Sequence, residues 1–292
     1  METPKASTTA AIMAFHRATE MLRREEDRVC QDQLAGFFLP EEYRAILKNP
    51  QELSFLAAES AKRFPGINGA VVARARFIDD IVLEYVKKGL AQLIILGAGY
   101  DSRAYRIEGI KEQTIVFELD RPFTQSIKIQ TIRAILNIKP AHVKYVPIDL
   151  FNDDMRACLL ANGYGPSKRS LFIMEGLTFY LSAGVFDRIL AVIAQDSGPG
   201  TGVVFDYLPP SVIDGTSDRG EAKNSRTDLQ EYGEPYRLGL KSDELEGFLA
   251  QKGFDLVENL NAGDCKEKYF FGQSRTREIT PIFYFAHAVV SA

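Results

Sequence analysis

The sequence predicts an α/β fold with a Rossmann-like, mostly parallel sheet, and three observations support this prediction. From residue 92 onward, short continuous apolar runs alternate with segments that favour helix. The first run ends in Gly97-Ala98-Gly99, here named the glycine turn, and the second run ends in Asp120. Strands that are covered on both faces have continuous apolar sequences, and their alternation with helices implies parallel pairing through right-handed crossovers.

Residues 1–88 precede the first predicted strand, and helix formers dominate them. Helices are expected at 10–29, 41–48, 51–63 and 70–88, with prolines as breaks between the first three. The apolar residues of the last helix recur with the helical period, and Gly89 is suited to end it. We interpret this part as an N-terminal helical cap plus one helix that packs on the sheet.

Residues 89–292 are expected to form the core of the fold. Strands are predicted at 92–96, 114–119, 143–147, 171–175 and 201–207, followed by an antiparallel hairpin of 254–260 and 279–290. Helices are predicted at 101–107, 122–137, 152–161, 183–195 and 242–252. The stretch 208–240 is rich in glycine, proline and charge, and it follows the fifth strand at the edge where ligands bind. We interpret it as an inserted lid, with a surface insertion without a function as the alternative.

The glycine turn and Asp120 form the pattern by which a Rossmann-like sheet binds an adenosine. Glycines let the backbone approach a ligand closely, and a carboxylate at Asp120 can accept hydrogen bonds from both ribose hydroxyls. A dinucleotide site needs a small residue where Ser102 stands, and Asp101 would repel a pyrophosphate. The turn therefore favours S-adenosylmethionine, which carries a cationic sulfonium and no phosphate. An ordinary tight turn is the alternative.

Composition excludes several classes of protein. The net charge of −4 over 292 residues shows no basic footprint for nucleic acid. The three cysteines are widely spaced, so we expect neither a metal site nor a disulfide framework. No apolar leader or membrane-spanning run is present in the sequence. We therefore expect a cytoplasmic protein that does not bind membranes, while its oligomeric state is not predicted.

Five motifs in order make the chain resemble the leucine carboxyl methyltransferase and polyketide O-methyltransferase family of S-adenosylmethionine enzymes. They are 74–80 (RARFIDD), 96–106 (LGAGYDSRAYR), 117–122 (FELDRP), 146–150 (VPIDL) and 175–181 (EGLTFYL). The resemblance covers residues 25 to 260 approximately. It implies a seven-stranded sheet of the class I methyltransferase type, with a helical cap and a reversed hairpin that closes the sheet.

The resemblance also implies roles for individual residues. The glycine turn would contact the methionine half of the cofactor, and Asp120 would hold the ribose hydroxyls. Asp149 and Leu150 would bracket the adenine. Arg74 would pair with the methionine carboxylate, and Glu175 would face the amino group and the edge of the sulfonium. A basic residue near the N-terminus, for which the candidates are Arg23, Arg24 and Arg28, would approach the same carboxylate.

Methyl transfer from a sulfonium is an in-line displacement that requires positioning and exclusion of water but no metal. A carboxylate acceptor is ionised at neutral pH, whereas a hydroxyl acceptor benefits from a base. No convincing base is apparent, because His16, His142 and His287 share no motif. We therefore favour a carboxylate or an acidic phenol as acceptor. Tyr180 and Tyr207 follow the fourth and fifth strands and could line the acceptor pocket, although both are also plausible as core aromatics.

The sequence thus predicts an S-adenosylmethionine-dependent O-methyltransferase. Its acceptor would be a small molecule, such as a polyketide-like aromatic, or the C-terminal carboxylate of a protein. An NAD-dependent oxidoreductase is the alternative on the same fold, and Asp101 and Ser102 argue against it. A third reading is a cofactor-binding module without catalysis, which degraded cofactor positions would favour.

Overall fold

The central sheet contains seven strands within the part of the chain that the computed structural model describes, residues 8–137, 140–198 and 200–292. The strands are β1 (Gln92–Leu96), β2 (Ile115–Asp120), β3 (Val143–Pro147), β4 (Ser170–Met174), β5 (Gly202–Tyr207), β6 (Phe254–Leu260) and β7 (Tyr284–Val290). Their order is β3-β2-β1-β4-β5-β7-β6. Only β7 runs antiparallel to its neighbours, β5 and β6, which confirms the mostly parallel sheet and the closing hairpin.

The order of the strands determines where a ligand can bind. The chain moves from β1 to β2 and β3 on one side, and from β4 to β5 on the other side. The sheet therefore reverses its direction of growth between β1 and β4, and a crevice opens at their carboxyl ends. The glycine turn follows β1 and lies in this crevice.

The helices of the described residues surround the sheet and its carboxyl edge. They are α1 (Thr8–Glu20), α2 (Glu41–Lys48), α3 (Pro50–Arg63), α4 (Ile67–Lys87), α5 (Arg103–Arg106), α6 (Ile110–Gln113), α7 (Pro122–Leu136), α8 (Met155–Ala161), α9 (Ala183–Gln195), α10 (Pro210–Asp214), α11 (Gly220–Glu231), α12 (Leu245–Ala250) and α13 (Ala262–Tyr269). None of them is both long enough and apolar enough to span a bilayer.

Two hydrophobic layers cover the two faces of the sheet. Val72, Phe77 and Val82 of α4 pack with residues of β1 such as Ile95 on one face. On the other face, α8, α9 and α12 pack against the alternate residues of the same strands. Because successive side chains of a strand point to opposite faces, each strand contributes to both layers.

The structure corrects two element boundaries and adds two helices to the stretch 208–240. The first helix ends at Glu20 instead of residue 29. Beyond it the chain turns back, so that the backbone N–H of Val29 donates to the carboxylate of Glu20, which also pairs with Arg277. The segment between β6 and β7 contains α13, whose N-terminus Asn261 caps, so the last strand begins at residue 284. The stretch 208–240 contains two helices, α10 and α11.

Helices of the cap and of the stretch 208–240 meet above the crevice. α1 packs through Ala14 and Phe15 against Tyr100, next to the glycine turn. In contrast, α2 and α3 bury no residue completely. α3 is joined to α11 by an ion pair between Arg63 and Asp228. The action of 208–240 as a lid, and the division at residue 88, remain predictions; residues 1–7 of the predicted cap lie outside the described part.

Candidate active site

A cavity of about 1700 Å³ lies at the carboxyl edge of the sheet, between the strand ends, α1, α3 and α11. Typical small-molecule pockets measure roughly 300–1,000 Å³, so this cavity has room for a cofactor and a second ligand. All but one of the predicted site residues line it: Arg74, Gly97, Ala98, Gly99, Asp120, Asp149, Leu150, Glu175 and Tyr180. The structure therefore brings these nine residues together at one cavity, and their roles stay predictions.

The glycine turn is fixed directly to Asp120. Gly97 and Gly99 have φ angles of 62° and 41°, which favour glycine, and a Cβ on Gly97 would lie 3.1 Å from a methyl carbon of Leu177. The backbone N–H of Gly99 donates to Oδ2 of Asp120 at 2.5 Å, and that of Arg121 donates to Oδ1 at 2.7 Å. Each carboxylate oxygen keeps a further acceptor site, so two hydroxyls can bind there.

A buried ion pair between Glu118 and Lys128 stabilises the glycine turn. The Glu118 carboxylate lies 2.8 Å from Nζ of Lys128, and its other oxygen accepts a hydrogen bond from the Tyr105 hydroxyl at 2.9 Å. Lys128 also donates to the carbonyl oxygen of Ala98 at 3.3 Å. Burial raises the pKa of Glu118, while Lys128 opposes the shift. Glu118 therefore has a structural role, two residues before Asp120 on the same strand.

Glu175 lies between two buried arginines. Its Oε1 accepts from Nε of Arg74 at 3.0 Å, and its Oε2 accepts from Nη1 of Arg103 at 2.6 Å. Nη1 of Arg74 also donates to Asp206 at 2.5 Å, and Nη1 of Arg103 donates to Asp101 at 2.6 Å. Burial opposes ionisation of Glu175, but Arg103 and Arg74 outweigh it and lower the pKa of the carboxyl below its ordinary value.

Two members of this cluster, Arg103 and Asp206, were not selected from the sequence. Asp206 interrupts the apolar residues of β5, and this was the available signal, since a carboxylate in a buried strand requires a partner. Arg103 lies within the motif 96–106 but had no assigned role. Because Arg74 is already paired with two carboxylates, its pairing with a methionine carboxylate would use its remaining N–H groups and stays a prediction.

The network of charges continues into the cap. Arg106 contacts Asp79 through both Nη atoms at 2.9 Å. Nε of Arg17 on α1 donates to Asp32 at 2.8 Å, and its Nη2 donates to the carbonyl oxygen of Tyr100 at 2.8 Å. Buried charges are tolerated only when paired in this way. Arg17 thus attaches the cap to Tyr100, the residue that follows the glycine turn, and this role was not predicted from the sequence.

Among the candidates for an N-terminal basic residue, Arg23 lines the cavity and pairs with Glu20 at 3.2 Å. Arg24 pairs instead with Asp27 on the surface, and Arg28 donates to backbone carbonyls. Only Arg23 of these three therefore borders the cavity.

The predicted adenine site follows β3. Oδ1 of Asp149 accepts from the backbone N–H of Phe151 at 3.0 Å, and Oδ2 accepts from Nδ2 of Asn152 at 2.8 Å. These bonds hold Asp149 in a tight turn, with Leu150 beside it at the wall of the cavity. The contact of Asp149 and Leu150 with adenine remains a prediction.

The prediction that Tyr207 lines the acceptor pocket is wrong. Its side chain is fully buried in the same layer as α9 and α12, its hydroxyl donates to Asn259 at 2.9 Å, and it does not line the cavity. The neighbouring Asp206 points toward Arg74, so alternation along β5 necessarily turns Tyr207 away.

Tyr180 does line the cavity, next to Tyr236 from the stretch 208–240; the ring centroids are 5.9 Å apart. Burial raises the pKa of Tyr236 to about 12 and raises that of Tyr180 well above its ordinary value. Both phenols are therefore protonated at neutral pH, and the hydroxyl of Tyr236 is in hydrogen-bond contact with that of Ser225. Tyr236 was not found from the sequence, because its segment showed no regular pattern.

The profile of the leucine carboxyl methyltransferase family matches residues 10–194. The chain belongs to this family. The match spans α1 to α9 and contains every predicted cofactor residue, so it confirms the resemblance that the sequence motifs indicated.

Relatives of this family member agree with the assignment. YktD of Bacillus subtilis, provisionally named an S-adenosyl-L-methionine-dependent methyltransferase, is 26% identical over 306 residues, with 99% of each chain covered. A protein of Mycolicibacterium gilvum with the same provisional name is 30% identical over 191 residues, 65% of this chain and 61% of its own length. A Thermobifida fusca structure, provisionally described as a methyltransferase, has a TM-score of 0.62 at 16% identity, covering 97% of this chain and 95% of its own.

This last similarity concerns the fold alone, and it confirms the α/β architecture of the family member. Within the described residues, no group of three or more His, Cys, Asp or Glu side chains is arranged to hold a metal ion. Cys30 and Cys265 are buried, and burial raises the pKa of both thiols, so neither is poised as a nucleophile.

Proposed function

We propose that this member of the leucine carboxyl methyltransferase family transfers a methyl group to an oxygen acceptor, a carboxylate in preference to a hydroxyl. S-adenosylmethionine is the methyl donor. The observation that carries the proposal is the carboxylate of Asp120, which is bonded to the glycine turn at the edge of a large cavity and keeps two acceptor sites for a ribose.

The charges around the crevice support a sulfonium cofactor. Four carboxylates border the cavity near the strand ends, of which Asp101 and Glu175 are paired with buried arginines. Asp120 and Asp149 form no ion pair among the described residues, so their charges attract a sulfonium or an ammonium group and repel the pyrophosphate of a dinucleotide. This arrangement argues against the NAD-dependent oxidoreductase that the fold alone would allow.

The protonated phenols support an acceptor that is already ionised. Tyr180 and Tyr236 can donate hydrogen bonds to an anionic oxygen, but they cannot remove a proton from a hydroxyl at neutral pH. A carboxylate needs no such removal, since it is ionised under these conditions. The lone pair of its oxygen forms the new bond to the methyl carbon, and the electrons of the breaking C–S bond return to sulfur.

The protein contributes positioning and exclusion of water to this step. A productive approach holds the nucleophile at about 3 Å from the methyl carbon and in line with the C–S bond. The helices α3 and α11 border the cavity opposite the strand ends, where they can exclude water from a bound pair of ligands.

Calorimetric titration with S-adenosylhomocysteine, with NAD as control, tests the cofactor. We expect micromolar binding of S-adenosylhomocysteine and none of NAD. Incubation with S-adenosylmethionine and paired carboxylates and alcohols, followed by measurement of S-adenosylhomocysteine formed, then tests the acceptor. Binding of NAD alone would contradict the cofactor, and transfer to amines alone would contradict the oxygen acceptor.

A further inference from the structure

Three polar residues from distant parts of the chain meet at the wall of the cavity. Asn68 lies at the start of α4, His16 lies on α1, and Arg277 precedes β7; all three border the cavity. Nη2 of Arg277 donates to Oδ1 of Asn68 at 2.8 Å. Nδ2 of Asn68 lies 3.3 Å from Nδ1 of His16. A chain of contacts therefore leads from Arg277 through Asn68 to the imidazole ring.

The chemistry of these groups fixes the direction of each hydrogen bond. A guanidinium only donates, so the atom of Asn68 that faces Arg277 is the carbonyl oxygen. The amide nitrogen must then face His16, and it also only donates. Nδ1 of His16 is therefore the acceptor, and in the neutral ring the hydrogen lies on Nε2. Glu20 holds Arg277 in place through two bonds of 2.8 Å.

The ring is neutral at physiological pH. Burial and the positive charges of Arg74 and Arg17 lower the pKa of His16 to about 4. Among the described residues, the hydrogen bond of the His16 ring is the contact of Nδ1 with Asn68. Because His16 borders the cavity, the N–H group at Nε2 can serve a ligand there.

His16 lies next to the predicted methionine site. It is one turn along α1 from Met13, whose sulfur contacts Nη2 of Arg74 at 3.4 Å. Thr9, Met13 and His16 share one face of α1, since they are separated by four and three residues. This face borders the cavity, so a second ligand beside the cofactor can reach His16.

We infer that His16 is an acceptor-binding residue, which Asn68 fixes as the Nε2–H tautomer so that it donates a hydrogen bond to an oxygen of an anionic methyl acceptor. This inference rests on the proposed function and narrows it to acceptors that enter as carboxylates. His16 cannot act as the base for a hydroxyl in this tautomer, because the nitrogen available to a ligand already carries its hydrogen. In the transfer to a carboxylate no proton moves, so the donor remains unchanged through the reaction.

The tautomer is measurable without any ligand. Long-range ¹H–¹⁵N correlation spectra of the imidazole rings, assigned with His16→Gln, should show His16 as the neutral Nε2–H form at pH 7. In Asn68→Asp the new carboxylate would accept a hydrogen from Nδ1, and the ring should change to the Nδ1–H form. His142→Gln is the matched control and should leave the signals of His16 unchanged. An Nδ1–H or doubly protonated ring in the wild-type protein would overturn the inference.

Ligand binding gives a second test of the role of His16. Dodecanoate and dodecan-1-ol, and likewise biphenyl-4-carboxylate and 4-phenylphenol, are titrated into the complex with S-adenosylhomocysteine. We expect at least one carboxylate to shift the Nε2–H signal while its matched alcohol or phenol does not. His16→Phe should lower the affinity for that carboxylate at least tenfold and leave the affinity for S-adenosylhomocysteine unchanged. His16→Gln, which keeps an N–H donor, should retain part of the affinity for the carboxylate.

The two proposals fail in different ways. If S-adenosylhomocysteine does not bind to the wild-type protein, the proposed function is contradicted, whatever the tautomer of His16. If it binds but no carboxylate shifts the Nε2–H signal, or His16→Phe binds the carboxylates equally well, the role of His16 is refuted and the cofactor assignment stands.

Discussion

Asp120→Asn tests the centre of the cofactor site with little change in shape. The carboxylate accepts two backbone N–H groups and offers one further acceptor site on each oxygen. The amide retains only one oxygen, so one ribose hydroxyl loses its hydrogen-bond acceptor. The other hydroxyl keeps an acceptor, but this acceptor is neutral instead of charged. Hydrogen bonds to charged groups contribute about 1.5–3 kcal/mol each, and neutral ones about 1 kcal/mol. The expected loss is about 3 kcal/mol, or roughly 150-fold in the dissociation constant of S-adenosylhomocysteine.

Isothermal titration calorimetry of the wild-type protein and the variant measures this loss. Asp187→Asn is the control, because Asp187 pairs with Lys252 on the surface of α9, at 2.8 Å and away from the cavity. Circular dichroism should show the same secondary structure in all three proteins. Equal affinity of Asp120→Asn and wild type would refute the assignment of Asp120 to the ribose.

Three further predictions concern the turn, the pH dependence of stability and the cap. Gly97→Ala forces a side chain into a left-handed conformation, so we expect a loss of about 1–2 kcal/mol in chemical unfolding and weaker S-adenosylhomocysteine binding; unchanged values would show that the turn relaxes. Burial lowers the pKa of His287 from 6.5 to about 4. Between these two pH values the unfolded chain binds a proton that the folded chain does not. The free energy of unfolding should therefore fall by up to about 3 kcal/mol as the pH drops from 6.5 to about 4. His287→Phe should remove this part of the pH dependence in urea titrations, and an unchanged slope would contradict it. Arg63→Ala removes the exposed ion pair with Asp228, so hydrogen exchange of the α11 amides should accelerate. Arg156→Ala removes another exposed ion pair and should leave the exchange of α11 unchanged. Equal exchange in both variants would count against a link between α3 and α11.

The parts of the fold that depend on local sequence were predicted well. β1 is five consecutive buried residues, and this burial on both faces produces the continuous apolar run that identifies it. The glycine turn could also be predicted from local sequence, because the positive φ angles of Gly97 and Gly99 favour glycine over other residues. The distance along the chain from Gly97 to Asp120 reflects a single β-α-β unit.

Features that depend on distant contacts were not predictable in this way. The carboxylate of Glu20, at the end of the first helix, binds Val29 and also Arg277, a residue 257 positions away. The position of Tyr207 was not predictable because both faces of β5 are buried, so its run of apolar residues does not show which alternate side chains reach the cavity. The cluster of Arg103 and Asp206 likewise joins residues from different elements, and single-sequence patterns carry no information on such pairs.

The unequal burial of the cap helices has a consequence for how such a protein can acquire new substrates. α1 is held beside the glycine turn by the buried Arg17, which pairs with Asp32 and donates to Tyr100, so a substitution of Asp32 would remove the ion-pair partner of a buried charge. α2 and α3 bury no residue completely, and α3 nevertheless contributes side chains such as Leu53 and Leu56 to the cavity. Mutations on α3 can therefore reshape this wall of the cavity at little cost in stability, while the glycine turn and the buried contacts of α1 are preserved. The fold thus separates the part that can diversify from the part that must remain constant.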